Sequence, residues 1–332
     1  MTSNKKVPPH PTYDAIFKAM RASGFSWIAD EPAPYREKLD NLPLPPNVVL
    51  PDTLMEKKEI TIDLQNTGGL QTSSTLKLII TRPPGTENKN IPALIYFIRG
   101  GFRFGSFRVA EKFIKDITVQ ANVAVIFVCY SLAPEVKFPV ATEECYSSIL
   151  WIHQHANELK VDSSKLVVGG DSAGGNLSAV SSILLKKRGY KDILKGQILI
   201  YPTVDLTTDG YESCELYGGG DYMLSKYELE HITRTYLGND YKEKEWNDIR
   251  LRPIIATDEE LSELPRALVI TAECDILRDE GEDYAHRLLK AGVKTTAIRS
   301  LSASHGFMTA FADTENYIQC LGTITKFIND SF

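Results

Sequence analysis

Apolar positions divide the chain into two regimes. Before about residue 55 there is no strand-like run. Tyr13, Phe17 and Met20 instead form one apolar face of a helix between Pro11 and Gly24, and Pro32, Pro34, Pro43, Pro45, Pro46 and Pro51 then read as an irregular connector. From residue 57 strands take over. The stretches 58–64 and 75–82 alternate in part, as half-buried antiparallel strands do. Apolar runs follow at 93–98, 123–129, 165–169, 196–201, 267–273 and 294–300, most of them continuous enough for parallel strands covered by helices on both faces. Helical spacing falls between them at 109–121, at 140–158 with Cys145, Ile149 and Ile152 on one face, at 173–188 and at 279–291. This alternation predicts an α/β fold with an eight-stranded, mostly parallel sheet. The stretch 205–250 is too long for one crossover and is rich in Tyr211, Tyr217, Tyr222, Tyr227, Tyr236, Tyr241 and Trp246, so it predicts a helical insertion.

Composition adds exclusions. The 332 residues are 43% hydrophobic and 24% charged with a formal charge of −6, which gives no basic footprint for nucleic acid or anionic lipid. The five cysteines, Cys129, Cys145, Cys214, Cys274 and Cys320, are odd in number and widely spaced, with no C-x-x-C. Neither a disulfide framework nor a zinc site is suggested, and Cys129, Cys145 and Cys274 read as buried structural thiols. The opening residues carry no apolar signal-peptide core and no later run is long enough to span a bilayer, so a cytoplasmic location without an integral membrane segment is expected.

The chemistry centres on Gly170-Asp171-Ser172-Ala173-Gly174, which fits G-x-S-x-G between an apolar run and a helical pattern. Such a sharp strand-to-helix turn holds a serine hydroxyl in the open. Serine needs a base to take its proton, and the base needs a carboxylate to fix its tautomer. In this arrangement acid and then histidine follow the serine at later strand ends. Asp275 closes the run 267–273. Of the six histidines, His10, His153, His155 and His231 precede it, His286 lies within a helical pattern, and His305 follows the last strand. Ser172, Asp275 and His305 are therefore the candidate catalytic residues, with Asp279 and Glu273 as reserve acids. The oxyanion donors are expected from the N–H of Ala173 and from the loop Ile98-Arg99-Gly100-Gly101-Phe102-Arg103-Phe104-Gly105-Ser106.

Further motifs join these: Tyr96-Phe97, Tyr130-Ser131-Leu132-Ala133-Pro134-Glu135, Phe138-Pro139, Tyr201-Pro202, Leu264-Pro265, Asp275-Ile276-Leu277-Arg278-Asp279-Glu280-Gly281 and His305-Gly306-Phe307. Together they resemble the hormone-sensitive-lipase-like branch of the α/β hydrolases, the bacterial family IV carboxylesterases. The resemblance implies an α/β-hydrolase fold of residues 56–204 and 251–332. It also implies a cap made from residues 1–55 and the insertion 205–250. Its implied activity is hydrolysis of short- to medium-chain carboxylic esters through an acyl-enzyme, with no metal or organic cofactor. The partner is a small-molecule ester. Homodimers are common among the proteins it resembles, and oligomeric state is left open. Phe102, Tyr201 and Phe307 are expected in the pocket wall.

Two departures stand out. The family loop reads H-G-G-G-[FW], and here Ile98 takes the histidine position and Arg99 that of the first glycine, so the donors fall on the retained Gly100 and Gly101. Ser131 replaces the arginine of Y-R-L-A-P-E, removing a buried salt bridge. If arginine fits the glycine's backbone angles poorly, the oxyanion hole is mis-set and hydrolysis is weak; otherwise the chain is a tolerated variant of an ordinary esterase. A non-hydrolytic small-molecule receptor, or a lyase or cyclase reusing the pocket, is the alternative; the retained His305 argues against the receptor.

Overall fold

The computed structural model describes residues 6–24, 27–29, 31–41, 56–65, 67–69, 74–239, 246–310 and 313–332. Eight strands form one sheet: β1 (Glu56–Asp63), β2 (Thr75–Arg82), β3 (Ile91–Phe97), β4 (Ala124–Cys129), β5 (Val161–Asp171), β6 (Leu194–Ile200), β7 (Arg266–Cys274) and β8 (Thr295–Ser304). Their order is β1-β2-β4-β3-β5-β6-β7-β8. The β1/β2 and β2/β4 pairs are antiparallel and all others are parallel. The α/β-hydrolase fold expected from the sequence is thus present. Chain order reverses between β3 and β5, and loops leaving the carboxyl ends of those neighbours diverge around a crevice, where α/β sheets place their sites.

Burial follows strand position. Leu166, Val167 and Val168 of central β5 are fully buried, whereas β8, at the sheet edge, leaves Leu301 65% exposed. That edge position accounts for the polar Lys294-Thr295-Thr296 start of the last run. Helices over Phe107–Ala121, Val140–Gln154, Ala173–Lys187 and Arg278–Lys290 cover the sheet near their expected limits.

Two helices of eight residues or more lie outside the expectation. Ala33–Asp40 is helical where a proline-rich connector was expected, because Pro34 sits in its first turn, where a missing N–H costs nothing. Pro43, Pro45, Pro46 and Pro51 of that connector, and Tyr241 of the insertion, fall outside the described residues. A C-terminal helix, Glu315–Asn329, starts at Thr314, whose side chain accepts from Tyr317 N–H. The first helix, Pro11–Ala22, buries Tyr13 and Phe17 as its spacing required.

The insertion contains the helices Glu212–Tyr217 and Lys226–Leu237, the second opened by a capping box of Ser225 and Glu228. It meets the N-terminal segment directly. The Tyr222 hydroxyl donates to Val7 O at 2.8 Å, and Lys6 pairs with Asp221 at 2.6 Å. Arg36 donates to Arg103 O and Ala133 O, each at 2.7 Å, and buried Arg103 donates to Trp27 O at 2.7 Å. The N-terminal segment is thereby fastened to the loop that follows β3. No helix among the described residues is long and apolar enough to cross a membrane.

Candidate active site

Ser172, Asp275 and His305 are each the first residue beyond a strand: β5, β7 and β8. Parallel strands end at one sheet edge, which brings together residues up to 133 positions apart. The His305 Nε2 lies 2.9 Å from Ser172 Oγ, and His305 Nδ1 lies 2.7 Å from Asp275 Oδ2. Asp275 Oδ1 accepts from Leu277 N–H at 3.0 Å, which fixes the carboxylate's orientation. The three residues are buried to different depths, with exposures of 6% for Ser172, 7% for His305 and 1% for Asp275.

The turn at Ser172 is strained. Its φ of +57° and ψ of −116° lie where a side chain is disfavoured. The surrounding packing enforces it: Ser172 N–H donates to Ile200 O at 2.9 Å, while a Cβ on Gly174 would come 1.9 Å from Phe97 O and one on Gly170 would come 2.4 Å from Gly174 C. Only glycine fits at these two positions.

The reserve acids are committed elsewhere. Asp279 accepts from Arg278 Nε at 2.6 Å and from Ser213 N–H at 2.7 Å. Burial raises the Asp279 carboxyl, and these partners outweigh it to leave a net lowering. Glu273 accepts from Ser302 N–H at 2.7 Å. His286 is exposed on its helix.

The loop after β3 bears on the two readings of Arg99. Arg99 is not among the residues of positive φ; Gly100 and Gly101 are, at +123° and +60°. The positive angles fall on the two retained glycines and on Phe102, at +59°, and not on Arg99. Gly100 O accepts from Arg103 N–H at 3.1 Å and Phe104 N–H at 2.9 Å, and Ile98 O accepts from the Tyr130 hydroxyl at 2.7 Å. Ile98, 2% exposed, packs its side chain toward Gly105. Ser131 likewise has a partner in place of a salt bridge: its N–H and hydroxyl donate to the buried Glu144 carboxylate at 2.7 and 2.8 Å.

A narrow cavity of about 30 Å³ opens in front of Ser172 and His305. Gly100, Gly101 and Phe102 form one wall, and Trp27 and insertion residues including Leu206, Met223, Leu229 and Ile232 form another. Phe102 lines this cavity and stacks on Tyr236 at 4.1 Å between ring centroids. Tyr201 and Phe307 do not line this cavity. Tyr201 packs behind His305 with its ring centroid 5.0 Å away, and Phe307 packs on Tyr201 at 5.6 Å.

The residue that sequence reasoning missed is Asp171, the variable position before the serine. Fully buried, it accepts from the Tyr96 hydroxyl at 2.6 Å, Arg99 N–H at 3.0 Å, the Tyr201 hydroxyl at 3.0 Å and Thr309 Oγ1 at 3.3 Å. One carboxylate thus joins β3, the loop after it, the end of β6 and the segment after His305. Burial pushes its carboxyl up, against the opposing pull of Arg99 and the tyrosine hydroxyls. A carboxylate beside two tyrosines at adjacent strand ends is the signal that could have found it.

A sheet of this order, with a strained serine on a glycine-flanked turn and a histidine and carboxylate at later strand ends, defines an α/β hydrolase. The α/β-hydrolase-fold family model matches residues 94–309, and the chain belongs to that family, in its hormone-sensitive-lipase-like branch. Among relatives, a putative α/β hydrolase of Acanthamoeba polyphaga mimivirus is 36% identical over 75% of this chain and 69% of its own. An arylesterase of Saccharolobus solfataricus is 33% identical over 72% of this chain and 76% of its own. Among solved structures, a fungal esterase of Rhizomucor miehei superposes with a TM-score of 0.85 at 40% identity, covering 98% of both chains. An esterase of Pyrobaculum calidifontis gives a TM-score of 0.83 at 32% identity, covering 98% of this chain and 99% of its own.

Proposed function

We propose that the protein is a serine carboxylesterase acting on short- to medium-chain carboxylic esters. The observation that supports this reading is the unbroken chain from Asp275 through His305 to Ser172 Oγ beside an apolar cavity. Ser172 Oγ attacks the ester carbonyl as His305 Nε2 takes its proton, and Asp275 holds Nδ1 protonated and stabilises the imidazolium. The carbonyl oxygen becomes an oxyanion that accepts from the N–H groups of Gly100, Gly101 and Ala173, the last at the start of the helix Ala173–Lys187, whose dipole favours negative charge. His305 passes its proton to the leaving alcohol, the acyl group stays on Ser172, and a water activated by His305 releases the acid. Residues 1–55 and 205–250 act as a cap over a catalytic domain of residues 56–204 and 251–332. The partner is a small ester, and the cap's apolar side chains favour acyl chains of limited length.

The test is turnover of a chromogenic acyl-ester series by the wild type and Ser172→Ala. Loss of activity by about a thousandfold or more is expected. Full activity in the variant would overturn the mechanism, and tight ligand binding without turnover by the wild type would replace it with a receptor.

A further inference from the structure

We propose that Arg99 makes this cavity selective for esters that carry a carboxylate close to the scissile bond, an inference that rests on the esterase reading. Arg99 lines the same cavity as Ser172 and His305, and among the described lining residues it is the one side chain of fixed charge. The walls around it, Trp27, Phe102, Met223, Leu229 and Ile232 among them, are apolar. A neutral ester needs only the apolar part.

The guanidinium is held in place with no hydrogen bond to Asp171. Its side chain is 10% exposed, Nε has no hydrogen-bond partner among the described residues, and Nε stands 3.8 Å from Asp171 Oδ2. That carboxylate already accepts three hydroxyls and the backbone N–H of Arg99 itself. Asp171 thus faces the guanidinium as a charge at 3.8 Å, without a hydrogen bond to its side chain. On its other side the guanidinium packs against Gly306, the residue after His305: a Cβ there would meet Arg99 Nη1 at 2.6 Å. The cation is therefore next to the candidate base, with the glycine making room for it.

Asp171 balances the guanidinium's charge but is beyond hydrogen-bonding distance of Nε, and a guanidinium matches a second, incoming carboxylate with two parallel hydrogen bonds. Two substrate types present that group near an ester: half-esters of short dicarboxylic acids, with the carboxylate on the acyl side, and O-acylated hydroxy acids, with it on the alcohol side. In both, hydrolysis follows the steps above and the carboxylate is unchanged.

The experiment measures kcat/KM by pH-stat for two matched pairs. One is monoethyl succinate against ethyl isohexanoate, its isopropyl isostere; the other is O-acetyl-lactate against the acetate ester whose carboxylate is replaced by isopropyl. In the wild type at least one anion is expected to exceed its isostere by roughly tenfold or more, as for a charge-assisted buried hydrogen bond. The favoured pair assigns the carboxylate to the acyl or the alcohol side. In Arg99→Met that ratio falls by about tenfold or more, and Arg99→Lys restores part of it. Equal turnover within both wild-type pairs overturns the inference and leaves the esterase reading intact. So does an Arg99→Met loss that is the same for both members of a pair, since Arg99 would then serve the oxyanion or the loop. If Arg99→Met does not fold, the wild-type ratios and Arg99→Lys decide. No turnover of any ester, neutral ones included, overturns both.

Discussion

Tyr201 donates its hydroxyl to Asp171 Oδ2 at 3.0 Å while its ring lies 5.0 Å from that of His305. One side chain at the end of β6 thus supports both the buried carboxylate beside Ser172 and the imidazole opposite it. Tyr201→Phe keeps the ring and removes the donor. Because Asp171 is fully buried, water cannot replace that hydrogen bond, and a loss of about 1–3 kcal/mol in unfolding free energy is expected. Denaturant titration checks the stability. A severalfold fall in kcat/KM on a simple ester is expected with it, through looser placement of the oxyanion loop that Asp171 anchors at Arg99 N–H.

That anchor also bears on the altered loop. A mis-set oxyanion hole predicts that Ile98→His with Arg99→Gly raises turnover of a simple ester. The geometry argues the opposite, since Gly100 and Gly101 already carry the positive angles and Ile98 is buried among apolar atoms. An imidazole at that position loses its hydration without a partner prepared for it, costing about 1–3 kcal/mol. The double variant is expected to hydrolyse ethyl acetate no faster than the wild type, with a lower denaturation midpoint. A clear gain in kcat/KM would restore the mis-set hole.

How much was legible in the sequence depended on which signals were local. The strand runs and the order Ser172, Asp275, His305 were legible because apolar runs report burial and one fold imposes one order. The helix Ala33–Asp40 was hidden by prolines that are harmless in a first turn. The helix Glu315–Asn329 was overlooked although Tyr317, Leu321, Ile324 and Ile328 recur at helical spacing behind the capping Thr314. Asp171 and Arg99 were illegible for another reason. Their roles arise from hydrogen bonds between residues 72 apart, and a variable position within a motif carries no periodicity. Tyr201 and Phe307 were misplaced because aromatic residues at strand ends can face either the cavity or the layer behind it, and local sequence does not say which.

Glu280 predicts a pH dependence of stability. It is fully buried in the helix Arg278–Lys290, and burial, followed by the nearby Asp205 charge, raises its carboxyl from 4.5 to about 8. The native state therefore keeps a proton that the unfolded chain releases above pH 4.5. The resulting stability is fully present below the unfolded value and is lost as the pH rises through about 8. Glu280→Gln mimics the protonated form and keeps an acceptor for Val204 N–H and Asp205 N–H, now at 2.7 and 3.2 Å. Between pH 6 and pH 8 the wild type is expected to lose stability relative to the variant, at up to about 1.4 kcal/mol per pH unit. Denaturant midpoints at several pH values check this, and parallel curves would reject it.

Trp27 is expected to set the length of acyl chain that the cavity admits. It lines the cavity at Ser172 and, together with Met223, also lines a second cleft of about 270 Å³ between the N-terminal helix and the insertion. The second cleft continues past Phe17, Met20 and Tyr227, so the indole stands between a short apolar chamber and a longer, partly apolar route. Trp27→Ala removes that barrier and keeps the backbone carbonyl that accepts from Arg103 Nη1 at 2.7 Å. It also removes the edge-on packing on Phe104 at 5.5 Å, so some loss of stability accompanies it. Each methylene newly buried in the joined space is worth about 0.8 kcal/mol, or about fourfold in kcat/KM. In a series of nitrophenyl esters the optimum is therefore expected to move toward longer acyl chains, with the ratio of decanoate to butyrate turnover rising by tenfold or more. An unchanged profile would mean that acyl chains do not pass Trp27, and would assign this wall to the alcohol.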